Sequence, residues 1–245
     1  MSGRNLVLLV SVQTAGLFEI DFEISSLSCK CFANVLLVAY VAPFGVVSAT
    51  AFIVVASQCP AAPLDPGYNE SDLLLAFEQL KPDLVLTFDG VDSGLVQRVA
   101  LGQGLRVAHA TVQPRTCGLF QLKSLNVDYT PDLDLSIPLV NHADNNGLIL
   151  RTSGTTSKPK VVPLKLWAIV SNSYVIAKNL GLRKTDIALN AMPLFHIGGL
   201  SANLLSSLAA GASVILLPQF NAADFFGRHR NANGLFVWPS LLSLI

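Results

Sequence analysis

The chain has 245 residues, enough for one large domain or two small ones with a sizeable core. Only 13% of residues are charged and 51% are apolar, and the mean hydropathy is +0.53, so much of the chain must be buried in protein or lipid. The formal net charge is zero and no basic run occurs, which argues against a nucleic-acid partner.

Residues 1–34 carry no assignable pattern. Leu6 to Val12 follows Arg4, but the apolar run is short, and no small-residue cleavage site follows before Glu19 and Asp21. Cys29-Lys30-Cys31 is too tight for the usual zinc-ligand spacing, and no second Cys or His pair completes a site. The cysteines at 29, 31, 59 and 117 read as reduced thiols, and no metal site is expected. Val35 to Ser57 is uncharged and long enough to span a bilayer, so a membrane anchor through 35–57 is the weakest of the readings weighed. Pro43-Phe44-Gly45 interrupts it, and the preferred reading is a buried strand over 35–41, a turn, and a buried helix over 46–56.

Pro60 to Gly67 reads as a rigid, turn-rich connection. Asn69 or Ser71 caps a helix that reaches Leu80 and stops at Lys81-Pro82. A strand over 84–88, a helix opened by Asp92 or Ser93, and a strand over 105–108 follow. Strands alternating with helices at this spacing predict an α/β fold with a largely parallel sheet. Gly102 and Gly104 follow a helix instead of joining strand to helix, so they are no dinucleotide fingerprint. Residues 110–146 lose apolar periodicity and gather Pro and Asn, as a linker-like excursion would. A second α/β stretch begins at 147: strands over 148–151 and 160–164, a helix over 167–180 stopped by Gly181, a strand over 187–191, a helix over 200–210 and a strand over 213–217. Asn221 suits a helix cap, 235–238 a last strand, and Pro239-Ser240 a helix start. The division is thus 1–34 unassigned, 35–109 a first half, 110–146 the excursion and 147–245 a second half.

Between the two strands of the second half stands TSGTTSKPK, residues 152–160. A polyphosphate needs backbone N–H groups, hydroxyls and at least one cation around it. Gly154 permits close backbone approach. Thr152, Ser153, Thr155, Thr156 and Ser157 bring hydroxyl donors, Lys158 and Lys160 bring charge, and Pro159 stiffens the exit. The order GxxxxGK[ST] is absent, so the loop is not Walker A. The bland alternative is a polar hairpin turn.

TSGTTSKPK resembles the phosphate loop of the adenylate-forming superfamily of AMP-dependent synthetases and ligases. PAAPLDPGY (60–68), LILRTSGTT (148–156), MPLFHIGGL (192–200) and FVWPSLLSLI (236–245) resemble further acyl-CoA synthetase segments in the same order. Together they cover roughly residues 35–245 as the N-terminal part of that fold, with mostly parallel sheets flanked by helices and an incomplete C-terminal side. Ser157 and Pro163-Leu164 lean toward the oxalyl-CoA synthetase-like branch. The resemblance implies an ATP-dependent, Mg²⁺-assisted ligase. It would join a small carboxylic acid to coenzyme A through an acyl-adenylate. Thr152, Ser153, Gly154, Thr155, Thr156 and Lys160 would grip the β- and γ-phosphates, and His196 would line the acyl pocket. His109, His142 and His229 are given no role, and Trp238 reads as core packing. The implied compartment is the cytoplasm, with the peroxisome second. The family enzyme is about twice this length, which sets an alternative beside the ligase: a catalytically incomplete remnant that binds nucleotide or a partner. Val161 stands where the family has glycine. A left-handed backbone there would strain it by roughly 1–3 kcal/mol, whereas an extended one would suit it.

Overall fold

The structure, a computed structural model, describes residues 8–10, 20–22, 36–113, 120–124, 141–152, 159–217 and 235–237. Near the start, β1 (Leu8–Val10) and β2 (Ile20–Phe22) pair antiparallel. Then come β3 (Val38–Val41), α1 (Val46–Ala56), β4 (Ala61–Leu64), α2 (Glu70–Leu80), β5 (Leu84–Phe88), α3 (Ser93–Gly102), β6 (Arg106–Val112) and β7 (Phe120–Ser124). The second half holds β8 (Asn146–Thr152), β9 (Lys160–Lys165), α4 (Leu166–Asn179), β10 (Ile187–Asn190), a π-helix (Gly198–Leu205) running into α5 (Ser206–Ala209), β11 (Ser213–Leu216) and β12 (Leu235–Val237).

A seven-stranded sheet in the order β7-β6-β5-β3-β4-β8-β9 forms the centre, parallel throughout except for the edge strands β7 and β9. A second, parallel sheet has the order β11-β10-β12. The mostly parallel α/β architecture predicted from the sequence is the one observed.

Alternation along the strands divides the interior into two cores. Val38 and Tyr40 of β3, Leu84, Leu86 and Phe88 of β5, and Leu148 and Leu150 of β8 face one side. There they meet α1, Ile169 of α4, and Leu200 and Leu204 of the π-helix. Ala39, Val41 and Val85 face the other side, where Leu73, Ala76, Phe77 and Leu80 of α2 and Val96 and Val99 of α3 cover them. Each large side chain so enclosed contributes about 1.5–3 kcal/mol. The first core also takes in Ala188, Val214 and Leu216 of the second sheet, so α1 belongs to an apolar cluster that draws on both sheets. That position explains why Val46–Ala56 is apolar all round. It also answers the membrane reading of 35–57: the run is a strand, a turn and an 11-residue helix. Such a helix is about 16 Å long, against about 30 Å of hydrocarbon. Among the described residues no helix is long and apolar enough to cross a membrane.

Several boundaries follow local chemistry. Asn69 forms a capping box with Asp72 at the start of α2, and Asp92 caps α3 through the Leu95 amide. Helix α2 closes at Lys81 in the left-handed conformation, with φ 48°. Three stretches differ from the sequence reading. Within Pro60–Gly67 lies β4, an inner strand. Pro63 is accommodated there because β4 pairs with β8 only at Ala61↔Leu148, so no ladder to β8 continues at Pro63. The linker-like stretch contributes β7, which extends the sheet along β6. The helix expected over 200–210 begins as a π-helix at Gly198. The cap at Asn221 and the helix at Pro239-Ser240 lie outside the described residues.

Candidate functional site

In open α/β sheets, ligands settle outside the carboxyl ends of the strands. At that edge lie the Pro43-Phe44 turn after β3, the Asp65–Tyr68 turn after β4, Asp89-Gly90 after β5, and the end of β8. Strands β8 and β9 form an antiparallel hairpin in which Thr152 pairs with Lys160, and the chain between them runs from Ser153 to Pro159. Thr152 and Lys160 are both exposed at its mouth. Ser153, Gly154, Thr155 and Thr156 lie outside the described residues. Val161 sits in β9 opposite Arg151, in extended backbone, so the strain considered for that position does not arise.

The base of the hairpin is tied to the body of the protein. Gln79, near the end of α2, accepts at Oε1 from Arg151 Nε (3.1 Å) and donates from Nε2 to the Pro159 carbonyl (3.2 Å). The Arg151 guanidinium lies 5.4 Å from the centroid of the Tyr68 ring. Burial raises the Tyr68 phenol above its usual value, while Arg151 pulls it back. Arg151 is 9% exposed. Nothing in the sequence signals this tie, because Gln79 and Arg151 are 72 positions apart.

His196 lies on the segment that follows β10. It is exposed, and its ring is 4.5 Å from that of Phe195, which in turn is 6.0 Å from Phe44. The Phe44–Phe195 contact brings this segment to the carboxyl edge of the large sheet. Strand β3 is two places from β8, so the Phe44 turn and the hairpin are separated by about 10 Å of sheet. Among the described residues no hydrogen bond or ring contact joins His196 to Thr152 or Lys160.

The segment is held in shape by buried polar groups. Asn190 accepts from the Met192 amide (2.9 Å) and donates to the Gly199 carbonyl (3.1 Å), and Asn203 donates to the Leu189 carbonyl (3.2 Å). A Cβ at Gly199 would come within 2.5 Å of the Pro193 carbonyl oxygen, so only glycine fits. Turns of π-helix often mark functional sites.

His109, given no role from sequence, takes part in a network. Its Nδ1 is 2.9 Å from Thr87 Oγ1, Gln97 Nε2 donates to that hydroxyl (3.2 Å), and His109 Nε2 is 2.9 Å from Asp89 Oδ1. A proton on Nε2 satisfies the chain, with Thr87 donating to Nδ1. Thr87 has no exposure, so the group is a structural brace and not a nucleophile.

A hydroxyl- and lysine-bearing hairpin at the carboxyl edge, with a clamped histidine segment on a second parallel sheet, is matched by one family model. The model described as "AMP-binding enzyme" covers residues 39–244. The chain belongs to the AMP-binding enzyme family.

Curated relatives in this family are CoA ligases. Oxalate–CoA ligase of Arabidopsis thaliana is 33% identical over 196 residues, which are 78% of this chain and 37% of that protein. 2-Succinylbenzoate–CoA ligase of Bacillus cereus (strain Q1) is 40% identical over 92 residues, 36% of this chain and 18% of that one. The fold is that of ATP-bound MatB from Rhodopseudomonas palustris, with a TM-score of 0.71 at 20% identity over 94% of this chain and 46% of that one. It is equally that of the Bacillus subtilis o-succinylbenzoate–CoA synthetase MenE in complex with ATP and magnesium, with a TM-score of 0.66 at 19% identity over 96% and 60%. The chain thus spans little more than a third of the length of the Arabidopsis oxalate–CoA ligase.

Proposed function

We propose that this chain carries the phosphate-gripping part of an acid–thiol ligase of the acyl-CoA synthetase type. The observation that supports it most is the register of the β8–β9 hairpin. It sets Thr152 against Lys160 at the carboxyl edge, with the Gly-, Ser- and Thr-rich segment between them. In the reaction, a carboxylate oxygen attacks the α-phosphorus of ATP and pyrophosphate departs, which leaves an acyl-adenylate. The sulfur of coenzyme A then attacks the acyl carbon, its thiol proton is released, and AMP leaves. Charge accumulates on phosphate oxygens in the first step, so placed donors and cations supply most of the catalysis. Thr152, Ser153, Gly154, Thr155, Thr156 and Lys160 would hold the β- and γ-phosphates, and His196 would stand beside the acyl group.

Mg²⁺ would arrive on the triphosphate. Among the described residues no group of three or more His, Cys, Asp and Glu could hold a metal ion. A phosphate-borne Mg²⁺ needs at most one or two protein carboxylates. Its chemistry is to offset phosphate charge.

The acid is a small carboxylate. Ser157, Pro163 and Leu164, with the 33% identity to a ligase named for oxalate, favour the oxalate–CoA ligase branch. The test is calorimetric titration of the chain with MgATP, alongside the variant in which Thr155, Thr156 and Lys160 are all alanine. Loss of at least tenfold in affinity is expected, and equal affinity overturns the reading. Oxalate-dependent exchange of pyrophosphate into ATP then tells the adenylating enzyme from a chain that binds nucleotide alone.

A further inference from the structure

The distal half of the hairpin is held to the body by side chains, with Leu150 buried and Ile149 packed on the opposite face, and not by a backbone ladder. Strand β8 pairs with β4 at Ala61↔Leu148 alone, so from Ile149 to Thr152 its inner side has no ladder. On its other side stands β9, the edge of the sheet, with Lys160, Val161, Pro163 and Lys165 exposed. With so short a ladder to β4, the placing of the distal hairpin depends on side-chain contacts.

Among the described residues, Gln79 and Tyr68 reach across this gap, and Gln79 does so with two hydrogen bonds. The Gln79 carboxamide takes a hydrogen bond from Arg151 on β8 and gives one to the Pro159 carbonyl just before β9, so a single side chain spans both ends of the phosphate segment. Gln79 is well placed to do so. Its helix is fixed by the Asn69–Asp72 capping box and by buried Leu73, Ala76, Phe77 and Leu80. Arg151 is pinned in turn against the Tyr68 ring. Among the described residues no carboxylate pairs with this buried guanidinium, and its Nε proton goes to the neutral Gln79 oxygen. A buried charge without an ion-pair partner is costly to keep. Such a guanidinium suits a role in which it anchors the strand just before the phosphate segment.

We propose that Gln79 and Arg151, braced by Tyr68, are positioning residues that dock the distal β8–β9 hairpin onto α2 and so set the affinity of the phosphate loop for ATP. This rests on the phosphate reading above. It departs from it in assigning part of the affinity to residues that touch no phosphate. Docking both ends in advance removes motion that binding would otherwise have to arrest.

The test uses the whole chain with Gln79→Met, which keeps size and helix propensity while removing both bonds. Hydrogen exchange of the peptide spanning 150–162, without nucleotide, should be roughly 5- to 50-fold faster, as expected for the loss of two bonds, one of them charge-assisted. The dissociation constant for MgATP should rise at least fivefold, while the melting temperature falls by only a few degrees, as the loss of about 1–2 kcal/mol equivalent to that change in exchange requires, and the fold is kept by circular dichroism. Gln79→Glu separates the two bonds: it keeps the acceptor for Arg151 and loses the donor to Pro159. Its exchange should rise at 160–162 and stay protected at 150–152. Unchanged exchange in Gln79→Met overturns the dock, and faster exchange with unchanged MgATP affinity overturns its bearing on binding. A wild-type chain that fails to bind MgATP overturns the phosphate reading, and the effect on affinity falls with it. Wild-type binding matched by Gln79→Met removes this inference alone.

Discussion

Replacing Asn190 by alanine probes the clamp that holds the His196 segment. Asn190 is 1% exposed and makes two side-chain bonds, from the Met192 amide and to the Gly199 carbonyl. Alanine leaves the buried Gly199 carbonyl without its partner, at about 1–3 kcal/mol, and frees the half-buried Met192 amide, at about 0.5–1.5 kcal/mol. The expected loss is roughly 2–4 kcal/mol. For a chain of this size that is a fall of about 5–15 °C in melting temperature. Asn190→Asp gives a sharper contrast. It keeps an acceptor for Met192 but sets a carboxylate against the Gly199 carbonyl, so at pH 7 it should be less stable than alanine. Burial raises the folded pKa of that carboxyl above its unfolded value near 3.9, so the native state binds more protons and stability falls as pH rises. Toward acid the protonated carboxyl regains a donor, and the aspartate variant should approach or pass the alanine variant. Urea unfolding of all three proteins at pH 7 and pH 5, with unchanged m-values, measures this. A loss under about 0.5 kcal/mol in Asn190→Ala, or a difference between the variants that ignores pH, refutes the clamp.

Further outcomes follow from single residues. Burial, with the Asp83 charge adding to it, pushes the Cys59 thiol up to about 12 from its usual value near 9. Burial raises the Tyr40 phenol too, partly offset by the nearby Ser48 hydroxyl. Both groups favour the folded state below their unfolded pKa values, and that stability is lost as pH rises from about 9 toward the folded values. Cys59 alone supplies up to about 4 kcal/mol of it. Alkaline melts should fall steeply in this window, less so in Cys59→Ala, and native Cys59 should resist thiol reagents at pH 8. Gly199→Ala drives a methyl onto the Pro193 carbonyl and should cost about 3 kcal/mol, read by urea unfolding. Lys81→Gly relieves a left-handed non-glycine cap and should raise the unfolding free energy by about 1 kcal/mol. Asn69→Ala breaks the capping box and should lower it by about the same amount.

How far the sequence could be read depended on whether a signal was local. Caps are local, so Asn69, Asp92 and Gly181 each marked a helix end. Apolar runs are local as well, and the strands around Leu84–Phe88 and Ile187–Asn190 were legible from them. Strand β4 was hidden because Pro63, Pro66 and Gly67 carry turn chemistry, and only the short overlap with β8 makes a proline tolerable there. The π-helix was read as an ordinary helix. The same apolar residues fit either winding, and the bonds that tie this one to β10, from Asn190 to Gly199 and from Asn203 to Leu189, have no local signal in sequence.

The candidate site divides along the same line. The composition of TSGTTSKPK indicated what its segment could bind, because donor-rich chemistry is written in consecutive residues. Nothing local indicated what aims that segment. Gln79, Arg151 and Tyr68 come from a helix, a strand and a turn, and each is unremarkable in its own neighbourhood. A loop that grips phosphate gains from being held still, and the groups that hold it need contact only its two ends. They can therefore lie anywhere in the chain that the fold brings to the base of the hairpin. Residues that bind are legible in sequence when they are contiguous, whereas residues that position them become legible only when the strands are laid side by side.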